Sequence, residues 1–253
     1  MRRPMHKLAL LLFASILALA SAAVFAQSGS FIVSQHGTVV GSASFSRTAT
    51  PKGVDSSSVV HVEMKGLNYS LSKAESLSPA NHLRTAQLSA TVNGSAVSVN
   101  AAPDASQLVL NIAANGHSTA TRLVAHGSAV FLPDFDPGAL DTLLALAAAN
   151  NNRNVWAIIP KQAGSVVPVQ LATYADEQGT LNGKPVTVHH IIATIAGGVT
   201  DLFSGPDDQL LQAELPQAGF ALVRKGFVLT PPAKPGAPPT AAPAAPSAGP
   251  RAE

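Results

Sequence analysis

Residues 31–45 read FIVSQHGTVVGSASF, and their period decides the fold. Phe31 and Val33 alternate with Ile32 and Ser34. His36-Gly37 interrupts, and Val39, Gly41, Ala43 and Phe45 then alternate with Val40, Ser42 and Ser44. Successive side chains of a strand point to opposite faces, so a period of two marks a strand with one buried face. Two such runs around a short glycine-containing turn form a β-hairpin.

The same period recurs outward from this hairpin. VVHVEM (Val59–Met64), LRTAQLSATV (Leu83–Val92), QLVLNIAA (Gln107–Ala114) and TATRLVA (Thr119–Ala125) are expected strands. So are NVWAIIP (Asn154–Pro160), VVPVQLATY (Val166–Tyr174) and VTVHHIIATI (Val186–Ile195). Asn93-Gly94, Asn115-Gly116 and Asn182-Gly183 separate several of them, and Asn-Gly tolerates the positive φ that tight hairpins require at both central positions. In DLFSGPDDQLLQAELPQAGFALVRKGF (Asp201–Phe227), Phe203 is expected to end one strand and Gly205–Asp208 to turn. Leu211, Ala213 and Leu215 are expected to share a face, and Phe220–Leu229 to form a last strand. Its charges fit turns and rims. Gly-Ser-Ala recurs at Gly41, Gly94 and Gly127, a composition of small residues that suits close backbone approach.

One helix interrupts the pattern. Asp136-Pro137 supplies an N-cap and a proline at the first helical position, and Leu140, Leu143, Leu144 and Ala147 follow at i, i+3, i+4 and i+7. Asn150-Asn151-Asn152 ends it, predicting a helix over 137–149 whose apolar stripe a sheet face must cover.

The ends differ from the middle. Arg2, Arg3 and Lys7 precede an apolar run from Leu8 to Ala20, and Val24-Phe25-Ala26 places small residues where a signal peptidase reads. The run is shorter than the ~20 apolar residues a spanning helix needs. Residues 1–26 therefore read as a cleaved signal peptide, against the alternative of an uncut N-terminal anchor. Residues 231–253 are almost all Pro, Ala and Gly and read as a disordered, partly polyproline II tail. A single domain over 27–230 remains, enough for a sizeable core. No transmembrane helix is expected in that mature chain, which is expected to be periplasmic or secreted.

The computed pI of about 9.0 reflects the first residues. Three of the 16 Lys and Arg residues lie there, leaving 13 against 14 acidic residues with no basic stripe. Without one, the counterion release that drives nucleic-acid binding is missing. With no cysteine, disulfides, thiol catalysis and thiolate metal sites fall together.

Eight histidines raise the question of a metal. His189 and His190 are adjacent on an expected strand and point to opposite faces. His61 and Glu63 share a face, but two ligands do not make a site. Ser70-Leu71-Ser72-Lys73 matches the Ser-x-x-Lys of penicillin-recognising enzymes without the companion motifs. No nucleophile elbow, phosphate loop or EF-hand spacing appears. No cofactor, metal or catalytic residue is expected.

Three segments together carry a family resemblance: FIVSQHGTVVGSASF, PDFDPGALDTLLALAAANNNRNVWAIIPKQ and VTDLFSGPDDQLLQAELPQAGFALVR. Their order from Gly29 to Leu229 resembles a group of exported bacterial proteins of unknown function, whose fold is similar to that of the outer-membrane lipoprotein carriers. The resemblance implies a mainly β (α+β) fold, a strongly curved antiparallel sheet forming a half-barrel with one main helix covering its open side.

The expected function is that of a non-enzymatic cell-envelope protein. A half-barrel lined by aliphatic residues makes a groove for a lipid or other apolar molecule. Its expected lining is Leu140, Leu143 and Leu144 on the helix, with Trp156, Ile158, Ile192 and Phe203 on strands. The alternative for each is plain core filling. A structural or protein-interaction module, meeting an envelope partner through a sheet edge or the Pro/Ala tail, is the expectation from a different class.

Overall fold

A computed structural model describes residues 26–161 and 164–231. The signal expected at 1–26 falls outside them except for Ala26, and the tail expected at 231–253 falls outside them except for Pro231. The fold is mainly β: 17 strands join one large mixed sheet that is not closed, with one α-helix against it.

The first eight strands follow one another as an antiparallel meander, in chain order. They are β1 (Ala26–Gln35), β2 (Thr38–Thr50), β3 (Gly53–Met64), β4 (Leu67–Leu77), β5 (Leu83–Val92), β6 (Ser95–Asp104), β7 (Gln107–Ala114) and β8 (His117–Val124). The short β9 (Ala129–Phe131) leads to α1 (Pro137–Ala149), and β10 (Val155–Ile159) then pairs parallel to β9. From β11 (Ser165–Thr173), β12 (Glu177–Leu181), β13 (Lys184–Ile195), β14 (Gly198–Ser204), β15 (Leu210–Leu215), β16 (Phe220–Arg224) and β17 (Phe227–Leu229), the pairing runs β10-β11-β13-β14-β15-β16 and returns to β1. β12 branches from the first half of β13 and carries β17 on its other side.

Turn chemistry sets the register as the sequence requires. Asn93, Asn115 and Asn182 take φ of 50°, 51° and 52°, and the glycines after them 83°, 76° and 75°. Asn93 also braces the neighbouring hairpin: its Oδ1 accepts from Asn68 N at 2.7 Å and its Nδ2 donates to Gly66 O at 3.2 Å.

One face of the sheet, here the inner face, gathers around α1. Phe31, Phe45, Val60, Leu71, Leu88, Val99, Leu110 and Leu222 belong to a single buried cluster with Leu143 and Leu146 of the helix. Asp136 caps α1, its Oδ1 accepting from Gly138 N at 2.9 Å and Ala139 N at 3.2 Å. All but three of the thirteen helix residues are buried, so α1 is covered nearly all round rather than along one stripe. Its first turn lies close against the sheet: a Cβ on Gly138 would stand 2.5 Å from Ser58 Oγ and 3.0 Å from Phe45 Cβ. A smaller cluster of Val188, Phe203, Leu211 and Phe227 sits apart from the main core, where β17 meets the β13–β15 strands. No helix among the described residues is long and apolar enough to cross a membrane.

Three local expectations need correction. A register shift after Val33 frees one residue of β2, which leaves Val39 66% exposed instead of on the face of Ala43 and Phe45. A second shift sets Ser204 opposite Leu210 and Phe203 opposite Gln212. Leu211 is thereby sent to the smaller cluster while Ala213 and Leu215 stay with the main core. The last expected strand is two strands, because Gly226 turns at φ 82° and hands the chain from β1 to β12 as a partner.

Candidate functional site

Two stretches of the inner face matter, and they differ in chemistry. The first is charged and lies on β2–β4 beneath the start of α1. Register places Phe45, Ser58, Lys73 and Leu88 in one cross-strand row and Arg47, Ser56, Glu75 and Ala86 in the next. Lys73 Nζ lies 2.7 Å from Asp136 Oδ2 and 3.2 Å from Glu75 Oε2, with all three side chains at 0% exposure. Ser56 Oγ, Ser58 Oγ and Glu75 Oε1 have no protein hydrogen-bond partner among the described residues.

Arg47 Nη1 donates to Asp141 Oδ2 at 2.9 Å and its Nη2 to Asn81 Oδ1 at 2.8 Å. Asp141 Oδ1 accepts from Gln27 Nε2 at 3.2 Å and Leu210 N at 3.3 Å. Burial raises the Asp141 carboxyl above the usual carboxylate range, against the pull of Arg47. Burial raises Glu75 likewise, with Lys73 opposing it. Burial also works against the Lys73 ammonium, but Asp136 and Glu75 outweigh it and hold Lys73 above the ordinary lysine value. Lys73 is therefore a cation locked between two carboxylates, with no proton to give near neutral pH and no room for a substrate. Ser70 and Lys73 differ by three on a strand, so they occupy opposite faces, and the Ser-x-x-Lys match has no chemistry here.

The second stretch is apolar and hollow. Over β5–β8 the sheet is covered by the β9–β11 segment, which leaves two cavities. One, of about 280 Å³, lies among Leu88, Val99, Ile112 and the prolines Pro133 and Pro160. Tyr69 stands in its wall, its hydroxyl donating to Asp134 O at 3.4 Å and its pKa raised by burial. A largely exposed Lys161–Asp134 ion pair of 2.9 Å stands at the same cavity. The other, of about 470 Å³, lies among Leu83, Leu108, Ile158 and Val166, with His82 and His126 in its wall. Ligand pockets run from about 300 to 1,000 Å³, which the larger cavity meets and the smaller approaches.

The expected lining residues do not share one surface. Leu140, Leu143 and Leu144 are 7%, 0% and 2% exposed and belong to the main core. Ile158 lines the larger cavity. Trp156, half-buried, stacks on His126 with ring centroids 3.6 Å apart and planes 11° apart. Phe203 belongs to the smaller cluster, and Ile192, two ladder positions from its partner His190, faces that side too.

On that outer side His190 Nε2 lies 2.9 Å from Asp201 Oδ1 and its Nδ1 3.2 Å from Glu177 Oε1, with the ring stacked on Phe203 at 4.5 Å. Both ring nitrogens face carboxylates, so this imidazole ties β12, β13 and β14 together. His61 and Glu63 do share the outer face, 3.9 Å apart and exposed. No group of three or more His, Asp or Glu arranged to hold a metal occurs among the described residues.

Sequence reading missed Arg47, Lys73 and Glu75 as interior groups, and His82 and His126 as cavity groups. The signal for the first set was parity: Tyr69, Leu71, Lys73, Glu75 and Leu77 all occupy one face of β4. No comparable signal marks the histidines, which come from turns that only the tertiary fold brings to one cavity. Neither the scan against protein-family models nor the search of curated proteins returns a match for this chain.

Proposed function

We propose that the protein is an exported, non-enzymatic cell-envelope protein that binds a lipid or other apolar molecule in the hollow on its inner face. In this reading residues 1–26 direct export, and the sheet acts as a half-barrel of the lipoprotein-carrier kind with α1 closing part of it. The observation that carries the reading is the cavity of about 470 Å³ walled by Leu83, Leu108, Ile158 and Val166, a volume in the range of ligand pockets. The binding surface lies over β5–β8, away from the helix leucines.

Native mass spectrometry with solvent extraction, on protein purified from a bacterial envelope without detergent, tests it. Near-stoichiometric apolar ligand supports binding, and Ala125→Phe, which puts a ring into the cavity wall, should release it. A clean apo mass that added lipids leave unchanged overturns the reading.

A second reading, an interaction module, has one observation behind it. Among the described residues β8 has a ladder partner on one side only, β7, and Val124 on it is 67% exposed. An edge of this kind accepts a strand from a partner. Retention of an envelope protein by the intact chain, lost when Thr121→Pro blocks the β8 edge, would favour it.

A further inference from the structure

The larger cavity differs from the smaller one in the charge of its polar groups. We infer that it takes an amphiphile with a single carboxylate head, the tail against Leu108, Ile158 and Val166 and the head between His82 and His126; this rests on the apolar-ligand reading above. Among the described residues no Asp, Glu, Lys or Arg lines this cavity, and its titratable groups are the two imidazoles. Asp104, next in chain to the lining residues Pro103 and Ala105, is tied to Arg122 Nη1 at 3.0 Å. At the smaller cavity a carboxylate head would meet Asp134 beside Lys161.

Both imidazoles stand in the wall of the same cavity. His126 is held flat by its stack on Trp156. His82 rests against Gly127, where a Cβ would stand 3.5 Å from His82 Cε1. Gly127 is the residue after His126, so His82 lies against the backbone next to it. An imidazole presents an N–H in either tautomer, so two of them can donate to the lone pairs of a carboxylate. Apolar walls with a few convergent polar groups at one end make a site that selects a head group as well as a tail.

The chain has a single tryptophan, and its stack on His126 makes Trp156 emission a direct reporter. The purified protein is titrated with dodecanoic acid, its methyl ester and dodecan-1-ol. The acid should bind about tenfold tighter than the ester, the worth of a charge-assisted hydrogen bond. His82→Gln, an exposed position whose change leaves the fold intact, should reduce that preference. His82→Gln with His126→Gln, read by calorimetry because the tryptophan stack is altered, should abolish it while the ester binds as before. Equal binding of acid and ester, or a preference for the acid that survives both substitutions, overturns the inference and leaves the apolar-ligand reading standing. No binding of any of the three overturns both.

Discussion

The β2–β4 and β5–β8 stretches are parts of one antiparallel meander with the same inner face, yet they are built in opposite ways. Under the start of α1 the face carries Arg47, Lys73 and Glu75, and is filled. Beyond the helix it carries Leu, Val, Ile and Ala, and is hollow. The difference follows from what covers each. The start of the helix brings two buried carboxylates, Asp136 and Asp141, so the sheet beneath supplies the cations Lys73 and Arg47. An apolar face needs only apolar cover, and the short β9–β11 segment does not reach all of it. Charge therefore fixes where the helix sits, and incomplete cover leaves room for a ligand.

The largest break in this comparison should come from Lys73→Met. It leaves Glu75 and Asp136 buried without a cation, which costs about 3–5 kcal/mol. Urea denaturation should show that loss, and much of it should return when Glu75→Leu is added, because a packed apolar pair replaces a lone charge. A loss under about 1 kcal/mol would mean that these charges do not organise the region.

Gly138→Ala comes next. The new methyl meets Ser58 Oγ and Phe45 Cβ closer than packing allows, and overpacking of this kind costs about 1–3 kcal/mol. Thermal unfolding should register it, whereas the ordinary expectation for Gly→Ala in a helix is a gain.

The pH dependence of stability should separate the charged region from the rest. The Lys73 pKa is raised in the folded state, so its contribution is full below the ordinary lysine range and is lost as pH rises through the folded value. Glu75 and Asp141 are also raised. Their contribution is full below the ordinary carboxylate range and fades as pH rises through their folded values. The wild type should therefore lose urea resistance in strong alkali, and Lys73→Met should lack that limb. Glu75→Gln should gain less than the wild type on mild acidification; equal gains in both would assign the effect to Asp141 alone.

The smallest effect sharpens the other side of the comparison. Ala125→Phe fills space that is empty, so stability should change by no more than about 1 kcal/mol while apolar ligand binding is lost. A large destabilisation would show the hollow to be smaller than its shape implies.

Legibility in the sequence follows the same division. The Phe31–Phe45 hairpin, the β5 and β7 spans, the Asn-Gly turns and α1 from Pro137 to Ala149 could be read from period and turn chemistry, because those are local. β4 could not. Lys73 and Glu75 occupy its inward positions and disguise the alternation that Tyr69, Leu71 and Leu77 keep. β6 was equally hidden, since Ala, Ser, Asn and Pro give it little contrast between faces. The expected lining set mixed three places because strand parity says which residues share a face but not which face meets the helix. Ile158 and its neighbour Trp156 ended beside a cavity, the helix leucines in the core, and Phe203 with Ile192 on the far side.

By itself, the sequence determined that the chain is mainly β, where its tight turns fall, and that one capped helix interrupts the strands; each is set by neighbours within a few residues. Only the tertiary structure decided that five charged residues, Arg47 of β2, Lys73 and Glu75 of β4, Asp136 of the turn before α1 and Asp141 of α1, close on one another, and that two histidines more than forty positions apart flank one hollow. Those arrangements depend on which strand lies across from which, and pairing at long range is set by how the whole sheet packs against the helix, a quantity no local window contains.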